Sequence, residues 1–228
     1  MQRKFKGRNC FVAGIALLVA FALWTVLIQC VDVQPVGQNG TNIGFATFNV
    51  RFHELTGVHM GIYTATDWLG LVPIAVCLCF GALGAVQLVQ RRSLFRVDAD
   101  LLLLGAYYIV VILFYLLFEM IPINYRPIPI DGFMEASYPS STTLLVLSVM
   151  PTLKYQVDRR AMSPIVRSVA TAFVVAFSAL MVLGRLVAGV HWATDIVGSV
   201  LLAAGLFMVY RASVEFADRK KAEPNMEG

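Results

Sequence analysis

Apolar residues in this chain run in long, nearly unbroken blocks, without the regular polar face of a helix half-immersed in water. Crossing a hydrocarbon core of roughly 30 Å takes about 20 mostly apolar residues in a helix. Six segments approach that length. The first covers residues 11–31, the second 69–89 and the third 101–121, the last opened by Asp98 and Asp100 as helix caps. A fourth covers 140–153, with Ser140 and Ser141 capping its start and an extension to about 157. Ser163-Pro164 reads as cap and first turn of a fifth, running to 186, and the sixth spans 191–210. Residues 44–55 suggest a short helix lying on the membrane surface, and the polar stretch 217–228 reads as a frayed end. The pattern predicts an all-α, polytopic integral membrane protein of six transmembrane helices. It divides into residues 1–67 (a stub, the first span and a connecting segment), a core over 68–211 and a tail over 212–228.

Composition agrees with the pattern. Hydrophobic residues make up 58 % of the 228 and charged residues 14 %, where soluble domains average roughly 45–50 % and about 25 %. No water-soluble core hides that much apolar surface, and disordered, collagenous and disulfide-stapled classes are excluded as well. Cys10, Cys30, Cys77 and Cys79 form no C-x-x-C pattern and read as small apolar packing residues. The basic start resembles that of a signal peptide, but the apolar run behind it is too long and no cleavage site follows Cys30, so an uncleaved first helix is expected.

A net charge of +4 invites a nucleic-acid reading until the charges are placed. Fifteen of the 18 Lys and Arg residues fall at the N-terminus, in the second-to-third and fourth-to-fifth connections, and in the tail, which is one side of a six-span chain. The positive-inside rule puts that side, with both termini, in the cytoplasm, and the expected location is the plasma membrane. The balance therefore records orientation, and nucleic acid is not an expected partner. Arg51, Arg126 and Arg185 remain on the outer side. Trp24, Trp68 and Trp192 sit near span ends, as an aromatic belt would place them, and Asn39-Gly-Thr41 is a formal glycosylation sequon.

The outer exceptions carry the candidate chemistry. Arg185, His191 and Asp195 are spaced six and four apart. On a helix, His191 and Asp195 would share a face, letting the carboxylate fix one ring nitrogen and free the other as base or nucleophile. Arg185 offers a fork of donors suited to phosphate. A second outer segment holds Asn124-Tyr-Arg126-Pro127 and Tyr138-Pro-Ser140-Ser141-Thr142, where the fourth helix opens and its amides form an anion site. Singly, these residues also fit an interfacial anchor, a head-group contact and a helix cap; together on one face they point to phosphate. His53, Glu54 and His59 are too loosely spaced to define a metal centre.

With these residues the chain resembles the type 2 phosphatidic acid phosphatase superfamily, the membrane lipid phosphate phosphatases. That family carries Lys-x6-Arg-Pro, Pro-Ser-Gly-His and Ser-Arg-x5-His-x3-Asp blocks. The third is matched at Arg185, His191 and Asp195, with Gly184 in place of serine. The first is matched at Arg126-Pro127, with Glu119 where lysine is usual. The second is matched at Pro139-Ser140, with Ser141 for glycine and Thr142 for histidine. The resemblance covers about 68–210 and implies the family's six-helix bundle. It implies His191 as nucleophile forming a phosphohistidine, Asp195 orienting it, and Arg126, Arg185, Ser140 and Ser141 holding the phosphoryl group. It implies no cofactor and no metal.

The departures leave three readings. The substrate has a good leaving group, such as a polyprenyl diphosphate, and needs little acid help; or Glu119, Glu135 or Tyr138 replaces the missing acid at Thr142; or the protein binds or transports a phospholipid without hydrolysing it. The expectation is a lipid phosphate or diphosphate phosphatase, or a phosphotransferase, with its site at the outer membrane boundary and a lipid phosphate or diphosphate in the bilayer as partner. A transporter of another class would carry broken spans or polar mid-span residues, and beyond Pro73, Pro151 and scattered glycines the chain shows little of either.

Overall fold

Long apolar blocks become helices because only a helix satisfies every backbone N–H and C=O within its own segment in hydrocarbon. The computed structural model describes residues 2–222. It contains α1 (Gln2–Cys30), α2 (Ala46–Thr56), α3 (Met60–Leu69), α4 (Leu71–Arg91), α5 (Ala99–Met120), α6 (Ser141–Arg160), α7 (Pro164–Val187) and α8 (Ala193–Ala222). Among the described residues there is no β-strand, only isolated bridges.

Among the described residues, five segments are long and apolar enough to cross a membrane: Gly7–Cys30, Met60–Arg91, Ala99–Met120, Pro164–Val187 and Ala193–Lys221. Their outward faces carry large bare side chains such as Val19, Leu23, Ile109, Leu113, Val169 and Leu183, as a bilayer requires of them. The protein is a multi-pass membrane protein. The predicted second span is extended backwards to Met60, because α3 and α4 join through Gly70 in right-handed helical backbone (φ −58°, ψ −18°).

The fourth predicted span, α6, is not among the five, yet it traverses the bundle. Its N-cap, Ser140, donates its amide to the Asp195 carbonyl at the start of α8 (3.4 Å). At its other end Arg159 bonds Asp218 near the end of α8 (2.7 and 3.1 Å) and pairs with Asp100 at the start of α5 (3.3 Å), while Arg160 also pairs with Asp100 (2.8 Å). Twenty residues at 1.5 Å each cover about 30 Å, a full crossing. Its polar residues are tolerated because neighbours satisfy them. Tyr107 donates to the Ser148 carbonyl, Tyr108 to the Thr152 hydroxyl, and Gln156 to the Tyr210 hydroxyl (2.9, 2.7 and 2.6 Å).

The long α8 lies at the centre, with α1 packed along it at close range. A Cβ on Gly14 of α1 would stand 3.1 Å from the Gly205 carbonyl, and one on Gly205 only 2.9 Å from the Leu18 side chain. Small residues that let backbones approach are the usual glue between membrane helices. The helix predicted to stop at Tyr210 runs on to Ala222, through the first part of the stretch read as frayed; an Arg211–Glu215 pair (3.9 Å) and the Asp218–Arg159 bonds hold it. The rest of that stretch, 223–228, lies outside the described residues. It also starts two residues later than predicted, at Ala193. Six passes therefore connect two ends of the bundle. One is ringed by basic residues; the other holds α2, the 122–139 connection and the α7–α8 turn.

Candidate functional site

The turn between α7 and α8 is forced by its glycine. Gly189 sits at φ +71°, and a Cβ there would lie 2.1 Å from the Gly57 carbonyl. The His59 amide donates to the Ala188 carbonyl (3.0 Å), and His53 donates Nε2–H to the Gly189 carbonyl (3.0 Å). The loosely spaced histidines of the outer segment thus clamp this turn. The surface helix expected near 44–55 exists as α2, and Asn49 pins it to α8 by exchanging hydrogen bonds with Thr194 (2.9 and 3.3 Å).

His191 leaves this turn two residues before α8 begins, so it and Asp195 are not helical neighbours. The expected direct carboxylate–imidazole bond is replaced by a bridge. Ser137 donates its hydroxyl to Asp195 Oδ2 (2.5 Å), and His191 Nδ1 lies 3.1 Å from both the Ser137 hydroxyl and the Ser137 carbonyl. A carbonyl only accepts, so this network assigns the proton to Nδ1 and leaves a lone pair on Nε2. Asp195 also accepts from Asn124 Nδ2 (3.2 Å) and the Trp192 amide (3.0 Å). Trp192, expected in an aromatic belt, is instead buried and donates to the Tyr125 carbonyl (2.8 Å). Burial, reinforced by the charges of Arg126 and Arg185, holds the His191 imidazole well below its ordinary pKa, so it is neutral at pH 7.

Both arginines are buried beside it. Arg126 is 7 % exposed, on a strap tied by its amide to the Glu135 carbonyl (3.1 Å) and by the Ser137 amide to the Asn124 carbonyl (2.9 Å). Its Nε faces Glu135 Oε2 at 3.0 Å, and its Nη1 has no hydrogen-bond partner. Arg185, 1 % exposed, stacks over Tyr63 (4.8 Å) and reaches Thr66 (3.4 Å) and Asp67 (3.7 Å), while its Nε is unpartnered. His191 Nε2 is unpartnered too. Buried polar atoms without partners are uncommon enough to require an explanation, and these three share one neighbourhood of positive charge.

A cavity of about 180 Å³ opens beside Arg126, lined also by Tyr115, Glu119, Glu135, Tyr138 and Ser141. Arg185 and His191 do not line it; Arg126 is the link, facing the cavity while its charge acts on His191. Next to it, an apolar groove of about 330 Å³ between α4, α5 and α6 shares Tyr115, Ser141 and Leu144 and adds Ile74, Ile112 and Thr142. The remaining sequence-level candidates fall into distinct places. Ser140 is fully buried and engaged, donating its hydroxyl to Thr143 (3.1 Å) and accepting from Ser199 at its carbonyl (2.9 Å), so neither its hydroxyl nor its amide faces the cavity. Tyr138 commits its hydroxyl to Thr25 in α1 (2.7 Å), and burial raises its pKa, which makes it a poor proton donor. Sequence reasoning missed Ser137, Thr66 and Asp67; only Ser137, two residues before Pro139, had a signal in its proximity to a motif.

The sequence profile of the PAP2 superfamily matches residues 101–219, more than half of the chain and the whole interval from Glu119 to Asp195. The chain belongs to the PAP2 superfamily. Its fold is similar to that of the first transmembrane PAP2-type phosphatidylglycerolphosphate phosphatase from Bacillus subtilis. The TM-score is 0.58 and the identity 16 %, over 94 % of this chain and 98 % of that one. No curated relative matches the chain. The fold similarity spans 94 % of the chain and so extends beyond the interval matched by the profile. Family and fold together support phosphatase-type chemistry in a membrane.

Proposed function

We propose that this PAP2 protein hydrolyses the phosphate or diphosphate group of a membrane lipid, using His191 as nucleophile. The observation that carries the reading is a neutral imidazole with a free Nε2 lone pair, buried beside two arginines that have unpartnered N–H groups. In the first step Nε2 attacks phosphorus, a P–N bond forms, the P–O bond to the lipid breaks, and its electron pair leaves on the lipid oxygen, which takes a proton from water. In the second, water attacks the phosphohistidine, the P–N bond breaks and neutral His191 returns with release of phosphate. Arg126 and Arg185 stabilise the equatorial oxygens, where developing charge is greatest. Asp195, through Ser137, orients the ring. No step calls for a metal or cofactor.

The substrate is a lipid because the polar cavity and the apolar groove share a wall at Tyr115, Ser141 and Leu144, so a head group and its tail fit side by side. The site faces outside the cell with both termini in the cytoplasm, supported by the basic ring at the opposite end of the bundle. One observation favours a second reading: Thr142 lines the groove and no histidine stands there, so a non-hydrolytic lipid-phosphate binder is the rival. Purified protein in proteoliposomes is assayed for phosphate release from phosphatidic acid, phosphatidylglycerophosphate and a polyprenyl diphosphate. Release from one of them, abolished in His191→Ala, is expected. No release from any, or equal release by His191→Ala, selects the binder.

A further inference from the structure

The contacts that aim Arg185 come from α3, which lies outside the interval 101–219 matched by the family profile. Tyr63 stacks on the guanidinium, while Thr66 stands 3.4 Å and Asp67 3.7 Å from Nη1. The two oxygen partners are unequal. Asp67 is 61 % exposed, so water screens its pull and leaves its side chain free to move. Thr66 is 4 % exposed, and its one hydroxyl proton is committed to its own helix, at the Ile62 and Tyr63 carbonyls (2.8 and 2.9 Å). Its oxygen therefore meets Arg185 with a lone pair, as a fixed acceptor. With Nη1 held there, the buried Nε stays unpartnered and open to an anion.

The same threonine accounts for a glycine. The His59 amide ties the start of α3 to the Ala188 carbonyl at the end of α7 (3.0 Å), and the two helices pack closely. A Cβ on Gly184, the residue before Arg185, would stand 2.7 Å from the Thr66 methyl but an ordinary 3.7 Å from Ile62. Only Thr66 is in the way. Its methyl and hydroxyl share one Cβ, so turning the methyl aside carries the hydroxyl away from Arg185. A side chain at 184 and a threonine at 66 that still reaches Arg185 exclude each other.

We infer that Thr66 is the positioning residue of Arg185, and that position 184 is glycine so that Thr66 can reach it. The inference rests on the phosphatase reading and adds α3 to the machinery of that site.

Substitutions that separate the hydroxyl from the methyl test it. Phosphate release from phosphatidic acid, phosphatidylglycerophosphate and a polyprenyl diphosphate is measured in proteoliposomes, with Tm in parallel. Thr66→Val keeps the shape, removes the acceptor and lowers kcat/KM about tenfold with little change in Tm. Thr66→Ser keeps the acceptor and retains at least about a third of the wild-type value. Gly184→Ala drives a Cβ against the methyl, shifts the guanidinium and lowers kcat/KM about 10- to 10²-fold. Combining Gly184→Ala with Thr66→Ser moves one methyl from α3 to α7 at constant volume and recovers most of that loss. The inference is overturned if Thr66→Val matches the wild type, if Thr66→Ser loses as much as Thr66→Val, or if the double variant is as impaired as Gly184→Ala. Should Gly184→Ala fail to fold, the two Thr66 variants decide alone. If the wild type releases no phosphate, the phosphatase reading fails instead, and thermal stabilisation by hexadecylphosphonate reads the hold on Arg185 without chemistry. A shift that shrinks in Thr66→Val and Gly184→Ala and returns in the double variant supports the inference; equal shifts, or none in the wild type, overturn it.

Discussion

Replacing Ser137 by alanine deletes the one hydroxyl that links His191 to Asp195. The site is 1 % exposed, so water does not step in for the lost group. Two contacts go: the 2.5 Å bond to Asp195 Oδ2 and the 3.1 Å approach of His191 Nδ1. A hydrogen bond to a charged group is worth about 1.5–3 kcal/mol, which corresponds to roughly 10- to 10²-fold in rate at 1.36 kcal/mol per decade. The loss stops short of that in His191→Ala because the Ser137 carbonyl still accepts Nδ1–H and preserves the tautomer. The assay is steady-state phosphate release across pH 5 to 9. In Ser137→Ala, kcat should fall about 10- to 10²-fold with KM nearly unchanged, since Arg126 and Arg185 keep their places. The acid limb should also move to higher pH. The Ser137 carbonyl keeps Nδ1–H, but Asp195 loses the hydroxyl that donates to it, and its less neutralised negative charge makes the nearby imidazole more basic. If neither kcat nor the acid limb moves, or if KM rises in step with the loss of kcat, the bridge plays no part in orienting the ring.

Arg126→Gln removes a cation that disfavours the imidazolium, so His191 becomes easier to protonate and the acid limb of kcat/KM should rise towards about pH 6.5; an unmoved limb refutes the proximity of the two charges. The depressed pKa of His191 also makes the unfolded chain bind more protons than the folded one below about pH 6.5. Stability should therefore fall as pH drops from 7 to 5, and a thermal-unfolding series should lose much of that slope in His191→Gln. Gly189→Ala combines positive φ with a backbone carbonyl 2.1 Å away, so it should cost more than about 2 kcal/mol and lower Tm and kcat together. Thr142→His should speed monoester hydrolysis at least about tenfold, with little gain on diphosphates, whose leaving group needs no acid; equal gains on both would argue that the missing histidine is not what limits the protein.

The spans were legible because hydrocarbon imposes a simple rule on composition, and charge sorting picked out Arg126 and Arg185 as the exceptions beside His191. What stayed hidden depended on tertiary contact. The α-helical spacing of His191 and Asp195 suggested a direct bond, but Gly189 breaks α7 from α8 and moves His191 off the helix, which made Ser137 the necessary intermediate. Ser140 looked like a phosphate ligand at a helix mouth; packing of α6 against α8 turned its hydroxyl and amide inward. Thr66 and Asp67 touch Arg185 only because α3 lies along α7, which no local pattern announces.

The polar α6 has a consequence for how the chain enters the membrane. On its own it would partition poorly into lipid, since the tyrosines that satisfy it come from α5 and α8. Insertion of this segment must therefore wait for, or be carried by, its neighbours, and α8 is synthesised last. A count by apolarity alone yields five crossings and sends the two termini to opposite sides. The path of α6 restores even parity, so reporters fused to the two ends should report the same compartment. Weakening the clasp at Asp100, Arg159 and Asp218 should then show up first as chains whose orientation is mixed, before any loss of the site itself.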